Sequence, residues 1–538
     1  MPSTVELTGR PAAPGLAQGR LHLLDDRQHV ERVKGTPAAE AEALNKALED
    51  AVADLAALAA DADDDAAAML AFQMAMLEDE ELSAPAQEAI ALGVAADRAW
   101  LEAIGAQIAN YESSDDDYFR ARAADLKDMR DRVLGKFGSV DQAVVEPGSI
   151  LVGDDITPTR FLGVDWSRGG GIALFRGSAS SHVAILARAR GVPMVVGLGD
   201  VTLDPHSEAL LDGAAGRVIL SPDGARKSLF LEGVEAQQIE AARLADIARH
   251  PATTADGTRI QVMINVARPD DLAQIDVETC DGIGLMRTEF LFGHGPHLPD
   301  EDMQYAAYRR LLEWAAGRSV TIRTLDAGAD KPIAGLTIDG ESNPFLGVRG
   351  IRLSLSRPDI FRVQLRALAR AAIHGPLKVM WPMVAVPREL EQAAALFDEE
   401  LSALRAAGIA AERPALGMMV EVPAPAIAPD LFAAADFFSV GSNDLIQYVA
   451  AASRDSDALA EIGSGSLPVI LRMIRHLTEF GQARDMDVSI CGDLASDPAI
   501  VPLLIRAGLR TCSVAPAAIG SVKDAISRVD LRAGDGKG

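Results

Sequence analysis

The stretch ALGMMVEVPAPAIAPDLFAAADFFSVGSND (415–444) holds the pattern that decides the fold. It opens on an uncharged apolar run, ALGMMV, that ends at Glu421; after an Ala- and Pro-rich connection a second run, FFSVG, ends near Asn443 and Asp444. Runs that are apolar at nearly every position belong to strands covered on both faces, as in a parallel sheet. After Gly257 the same unit recurs in TRIQVMINVA, GIGLMRTEF, SVTIRTLDAG, LKVMWPMV, DVSICGDLA and RTCSVAP, mostly with helix-like segments between. Eight strand–helix units in about 260 residues fit a closed (β/α)8 barrel, assigned to 254–538; a doubly wound open sheet is the alternative.

Working outward, ARKSLFLEGVEAQQIEAARLADIARH (225–250) reads as one charged, weakly amphipathic helix stopped by Pro251, and 224–253 is taken as a linker. Residues 141–223 carry short β-branched runs (SILVG, GIALF, MVVGL, ALLDG, RVILS) broken by Gly, Asp and Pro, the composition of a compact α/β unit. Residues 1–23 supply a turn and a short apolar piece, LHLL, read as an edge strand of that same unit. Between them, 24–140 is nearly free of Gly and Pro after Thr36 and repeats apolar residues at helical spacing, so a helical domain is inserted there. Its acidic runs DADDDAA, LEDEEL and ESSDDD are either solvated helix ends or a docking surface for a basic partner.

The whole chain has 538 residues, enough for three to four domains at about 150 residues each. Its 78 acidic against 51 basic residues give a net charge of -27, which repels polyanions and argues against nucleic acid as a partner. No charged n-region with an apolar h-region opens the chain and no apolar run is long enough to span a bilayer, so a cytoplasmic protein is expected. Three scattered cysteines exclude a disulfide framework and a CxxC metal site.

A barrel of this kind works at the C-terminal ends of its strands. The polar residues at those exits are Arg287, Arg323, Glu421, Asn443, Asp444 and Cys491, with Arg349 and Arg454 on nearby loops. Several guanidinium forks beside two carboxylates and no histidine cluster point to an anionic substrate and a hard cation such as Mg²⁺. Glu421 and Asp444 are the candidate metal pair, or else simply ion-pair with the arginines; Cys491 is a core thiol or a proton donor. In the other half, SSHVAILARARGVP (180–193) is a helix with Ser180 or Ser181 as N-cap and Gly191 at its end. His182 therefore falls in the first turn, where the macrodipole disfavours imidazolium and free N–H groups favour a phosphoryl group; a plain capping histidine is the other reading.

Assembled in order, AAPGLAQG (12–19), MLEDEEL (76–82), RAADLKDMRDRVLG (122–135), SSHVAILAR (180–188), GIGLMRTEF (282–290), TIRTLDAGADK (321–331), NPFLGVRGIR (343–352), GMMVEVPAP (417–425), FFSVGSNDLIQY (437–448) and CGDLA (491–495) closely resemble the Enzyme I family of phosphoenolpyruvate-dependent phosphotransferases. The resemblance implies a reaction in which phosphoenolpyruvate and Mg²⁺ bind at the barrel mouth, His182 takes the phosphoryl group, and the group then passes to a histidine of the phosphocarrier HPr. Arg287, Arg323, Arg349, Arg454, Asn443 and Asp444 would bind substrate, Glu421 and Asp444 would hold Mg²⁺, and Cys491 would protonate the enolate. It further implies that Arg188 braces the phosphorylated ring, that 24–140 docks HPr, and that the barrels form a homodimer. The chain departs from the family wording in SASSH (178–182) and at Ala329, where Gly is usual. The competing readings are a barrel lyase or carboxylase acting on phosphoenolpyruvate or pyruvate, and a regulatory phosphorelay member.

Overall fold

The structure is a computed structural model describing residues 4–532 apart from 25–33, 61–63, 113–116, 138–144, 180, 200, 202, 205, 206, 293–297, 330, 332, 334, 339 and 454–458. The chain divides into two compact units, 1–237 and 238–538.

The first unit is built on an eight-stranded mixed sheet of β1 (Val5–Thr8), β2 (Arg10–Ala13), β3 (Leu16–Leu23), β4 (Ile150–Gly153), β5 (Gly171–Leu174), β6 (Met194–Val196), β7 (Glu208–Asp212) and β8 (Arg217–Leu220), in the order β1-β8-β7-β3-β4-β5-β6-β2. The N-terminal segment is therefore not one edge strand. Breaks at Gly9 and Pro14–Gly15 split it in three, so that β1 and β2 take the two edges while β3 runs through the middle, antiparallel to β7 and parallel to β4. Alternation sorts the side chains: Leu151, Ile172, Leu174, Met194 and Val196 pack on one face, and Ile150, Val152, Ala173 and Val195 on the other.

Inserted after β3, the helices α1 (Pro37–Ala60), α2 (Asp64–Leu77), α3 (Glu80–Ala91), α4 (Ala96–Glu112) and α5 (Asp117–Lys136) form a bundle with its own core. Leu44, Ala51 and Leu55 of α1 and Ala96, Trp100, Ile104 and Ile108 of α4 fall on one side of each helix and are buried, as a 3.6-residue period requires. Asp79 accepts from Glu81 N–H at 2.9 Å and caps α3, so that part of LEDEEL is a solvated helix start. After β4 comes the short α6 (Pro158–Leu162), whose Phe161 joins the core shared with α7 (His182–Ala189). The long α8 (Gly224–Ala248) follows β8 and is exposed along nearly all its length.

The second unit is a closed, all-parallel barrel of β9 (Gln261–Val266), β10 (Gly282–Met286), β11 (Ser319–Arg323), β12 (Leu377–Trp381), β13 (Ala415–Val420), β14 (Phe437–Gly441), β15 (Asp487–Cys491) and β16 (Thr511–Val514), each beside its sequence neighbour, with β16 closing on β9. Leu285, Met380, Met419, Phe437 and Cys491 cluster together, while a second and larger cluster joins strand residues such as Ile283, Ile322, Val379 and Val440 to helix residues such as Leu311, Leu365 and Phe397. Within this unit the end of α8 is tied down: buried Lys523 donates from Nζ to the carbonyls of Ala248 (2.6 Å), Thr279 (2.8 Å) and His250 (2.9 Å). Among the described residues no helix is long and apolar enough to cross a membrane.

Candidate active site

Because every strand of the barrel runs the same way, residues that end strands or directly follow them gather at one mouth. Arg287 follows β10, Arg323 ends β11, Glu421 follows β13, Asn443 and Asp444 open the helix Ser442–Ala450 after β14, and Cys491 ends β15. Arg454 lies outside the described residues.

Arg349 and Asp326 knit the site together. The Arg349 guanidinium is 0% exposed and donates four hydrogen bonds of 3.0 Å, from Nε and Nη2 to Asp326 and from Nη1 and Nη2 to Asp444. Asp326 also pairs with Arg323 Nη1 at 3.1 Å and Lys331 Nζ at 3.2 Å. Although burial opposes ionisation, these three cations hold the Asp326 carboxyl far below the usual carboxylate range. Arg323 donates Nη2 to Glu289 at 2.9 Å, and its Nε is buried with no hydrogen-bond partner among the described residues. An unmatched buried donor on a cation is costly to a protein unless an anion arrives to meet it. Arg287 is exposed at the mouth, its backbone N–H held by Val266 O at 3.2 Å.

Glu421 is buried beside the other carboxylates and accepts from the Met383 backbone N–H at 2.6 Å. Burial, with help from Asp326 and Asp444, pushes its carboxyl up to about 7, against the pull of Arg323 and Arg349. Among the described residues no three His, Cys, Asp or Glu side chains form a ready-made metal cage. Two carboxylates, one of them raised by burial and by its acidic neighbours, nonetheless fit a hard divalent cation that takes its remaining oxygens from substrate and water.

Cys491 is 2% exposed; its thiol donates to Val440 O at 3.5 Å and accepts from Ser439 Oγ at 3.7 Å. Burial pushes the thiol up to about 11, so at neutral pH it is a protonated, non-nucleophilic S–H. Asn443 pins the exits of β14 and β15 together, donating Nδ2 to Asp493 at 3.1 Å and accepting from Asp493 N–H at 3.0 Å.

In the first unit His182 is the first residue of α7. Ser181 Oγ accepts from Ala184 N–H at 3.2 Å, which makes Ser181 the cap, and Gly191 at φ 65° ends the helix. Val183, Ala184 and Ala187 bury one face of α7 on the sheet. Arg188 Nη1 donates to Ala12 O at 2.6 Å and to Ala179 O at 2.9 Å, stapling β2 to the loop that leads into His182.

Residues 241–531 match the family described as PEP-utilising enzyme, PEP-binding domain; 8–122 match PEP-utilising enzyme, N-terminal, and 145–216 match PEP-utilising enzyme, mobile domain. A phosphoenolpyruvate-protein phosphotransferase of Geobacillus stearothermophilus is 36% identical over 518 residues, covering 95% of this chain and 88% of the relative. The chain belongs to the phosphoenolpyruvate-protein phosphotransferase family. Relatives of that name from Bacillus subtilis (strain 168) and Haloferax volcanii are 34% and 37% identical, covering 96% and 86% of this chain and 91% and 82% of their own lengths.

In this member of the phosphoenolpyruvate-protein phosphotransferase family, inspection of strand exits passed over Asp326, Glu289, Lys331 and Met383. Asp326 and Lys331 stand in the quoted TLDAGADK, and extending the strand-exit rule three residues past Arg323 would have found Asp326. Met383 has no sequence signal, because its backbone makes the contact. Ala329 adopts φ 56°, a left-handed conformation, which accounts for glycine being the usual residue there.

Proposed function

We propose that the chain transfers the phosphoryl group of phosphoenolpyruvate to His182, releasing pyruvate, and then to a histidine of HPr. The observation that carries this reading is the barrel mouth, where a buried Arg323 Nε with no partner among the described residues, the Glu421–Asp444 pair and the Cys491 thiol stand together.

Arg287, Arg323 and Arg454 hold the phosphate and carboxylate of the substrate, with Asn443 beside them. Arg349, its donors taken by two carboxylates, acts by fixing Asp444. Glu421 and Asp444 would hold Mg²⁺, which supplies charge neutralisation at the phosphoryl and enolate oxygens. The His182 imidazole attacks phosphorus in line, the bond from phosphorus to the enol oxygen breaks, and positioning and charge stabilisation do most of the work. Cys491 then gives its proton to the methylene carbon of the enolate, forming pyruvate, and regains a proton from solvent. The high affinity of its thiol for the proton suits an acid that must stay loaded at neutral pH.

In this reading 1–23 and 141–223 carry the phosphohistidine, 24–140 docks HPr, 224–253 is the hinge and 254–538 binds substrate and pairs as a homodimer, in the cytoplasm. The test is intact mass after incubation with phosphoenolpyruvate and Mg²⁺, beside His182→Ala. One acid-labile phosphoryl adduct, absent from the variant, is expected. Pyruvate formed with no adduct in either protein would move the chemistry wholly into the barrel and favour a lyase.

A further inference from the structure

Six non-glycine residues among those described have φ between 46° and 58°: Ser221, Ala316, Ala329, Met383, Ala451 and Asp485. Ala316 and Ala451 end helices, where this conformation is ordinary. Met383 is different: it is the buried one of the six, it follows Trp381 and Pro382 at the exit of β12, and it carries φ 58° with a long side chain. A left-handed turn is unfavourable for a residue with a Cβ and persists only where its surroundings enforce it.

Two contacts say what enforces it and what it achieves. A Cβ built on Gly350 would lie 2.9 Å from Met383 Cβ and Cγ, so the backbone just beyond Arg349 packs directly on the base of the Met383 side chain. The same strip is fastened by Ile351 N–H donating to Pro382 O at 3.2 Å. Met383 N–H in turn donates to Glu421 Oε1 at 2.6 Å, while Glu421 Oε2 has no hydrogen-bond partner among the described residues. One carboxylate oxygen is thereby committed to the protein and one is left over.

Resting on the function proposed above, we infer that Met383 is a positioning residue: its left-handed backbone, wedged by Gly350, locks Glu421 through Oε1 so that a single oxygen serves the divalent cation. Groups that orient a metal ligand through a hydrogen bond typically matter about ten- to a hundred-fold in affinity. The role belongs to the backbone and to Cβ and Cγ, not to the thioether.

The test is Mn²⁺ affinity by electron paramagnetic resonance, on the full chain carrying His182→Ala so that added phosphoenolpyruvate is not consumed. Met383→Val, whose β-branch excludes the left-handed turn, should weaken Mn²⁺ about ten-fold or more. Met383→Asn, which tolerates the turn and keeps Cβ and Cγ, should stay within about three-fold of the parent. Met383→Gly permits the turn without enforcing it and should lose about three- to ten-fold through lost preorganisation. A residue needed only for its apolar volume would reverse the order, with Val close to the parent and Asn poor, and that result overturns the inference. Should the Val variant fail to fold by circular dichroism, a Gly variant equal to the parent overturns it equally. Glu421→Gln serves as control: loss of Mn²⁺ there with no effect of any Met383 substitution sinks this inference alone. A parent that binds no Mn²⁺ with phosphoenolpyruvate sinks the reading of the site, and the inference with it.

Discussion

Arg349 and Asp444 meet fork to fork, Nη1 to Oδ1 and Nη2 to Oδ2, both at 3.0 Å. Asp326 meets the other edge of the same guanidinium, so one buried cation separates two carboxylates that would otherwise repel across the barrel mouth.

Arg349→Ala should therefore destabilise the chain by about 3–5 kcal/mol, the cost of leaving buried charge uncompensated. Arg349→Lys should rescue little of it, since an ammonium cannot serve both carboxylates in one plane. Urea unfolding compares the two; equal midpoints for the Lys variant and the parent would show that charge alone matters.

Glu421 gives a pH dependence of definite sign. Its carboxyl is raised from 4.5 to about 7, so over that range the folded state binds more protons than the unfolded chain and stability falls as pH rises. Glu421→Gln should be more stable than the parent above pH 7, by on the order of 1–3 kcal/mol, and should lose that advantage below pH 4.5. Saturating Mg²⁺ should narrow the gap by stabilising the carboxylate of the parent. Thermal unfolding at pH 5 and pH 8 checks both points.

All three cysteines are buried, and burial pushes Cys491 to about 11, Cys512 to about 12 and Cys280 above its ordinary value. The folded protein at pH 8 should leave all three nearly unreactive to a thiol-specific disulfide reagent over minutes, and titrate fully in denaturant. Fast reaction at Cys491 in the native protein would mean a thiolate, incompatible with a proton donor.

Ser181→Ala removes the side-chain acceptor at the start of α7 and should cost about 1 kcal/mol locally. Hydrogen exchange at the first amides of α7 should quicken, with slower phosphorylation of His182 and unaltered phosphoenolpyruvate binding at the barrel. Unchanged exchange would show that the Arg188 staple, not the cap, sets this helix start.

The barrel was legible because each of its eight strands is a short apolar run ending in a polar residue, and that pattern survives in sequence wherever a strand is buried on both faces. It also located Arg323, Glu421, Asp444 and Cys491, since a barrel delivers strand ends to one place. What the pattern missed lies off the strands or in the main chain: Asp326 works from a loop, and Met383 through an N–H that every residue but proline carries. The middle position of β3 was hidden for another reason. An eight-residue strand looks alike at an edge or in the centre when its partners stand far along the chain.

That placement of β3 bears on how the chain is made. Its two neighbours in the sheet begin at Ile150 and Glu208, so newly made β3 waits for its native partners until most of the first unit has followed. At about 5–20 residues per second the wait is on the order of ten seconds or more. The five helices between can meanwhile close on their own core through local contacts, which form fastest. Nascent β3, with unpaired edges on both sides, is the segment of this unit most open to mispairing until then.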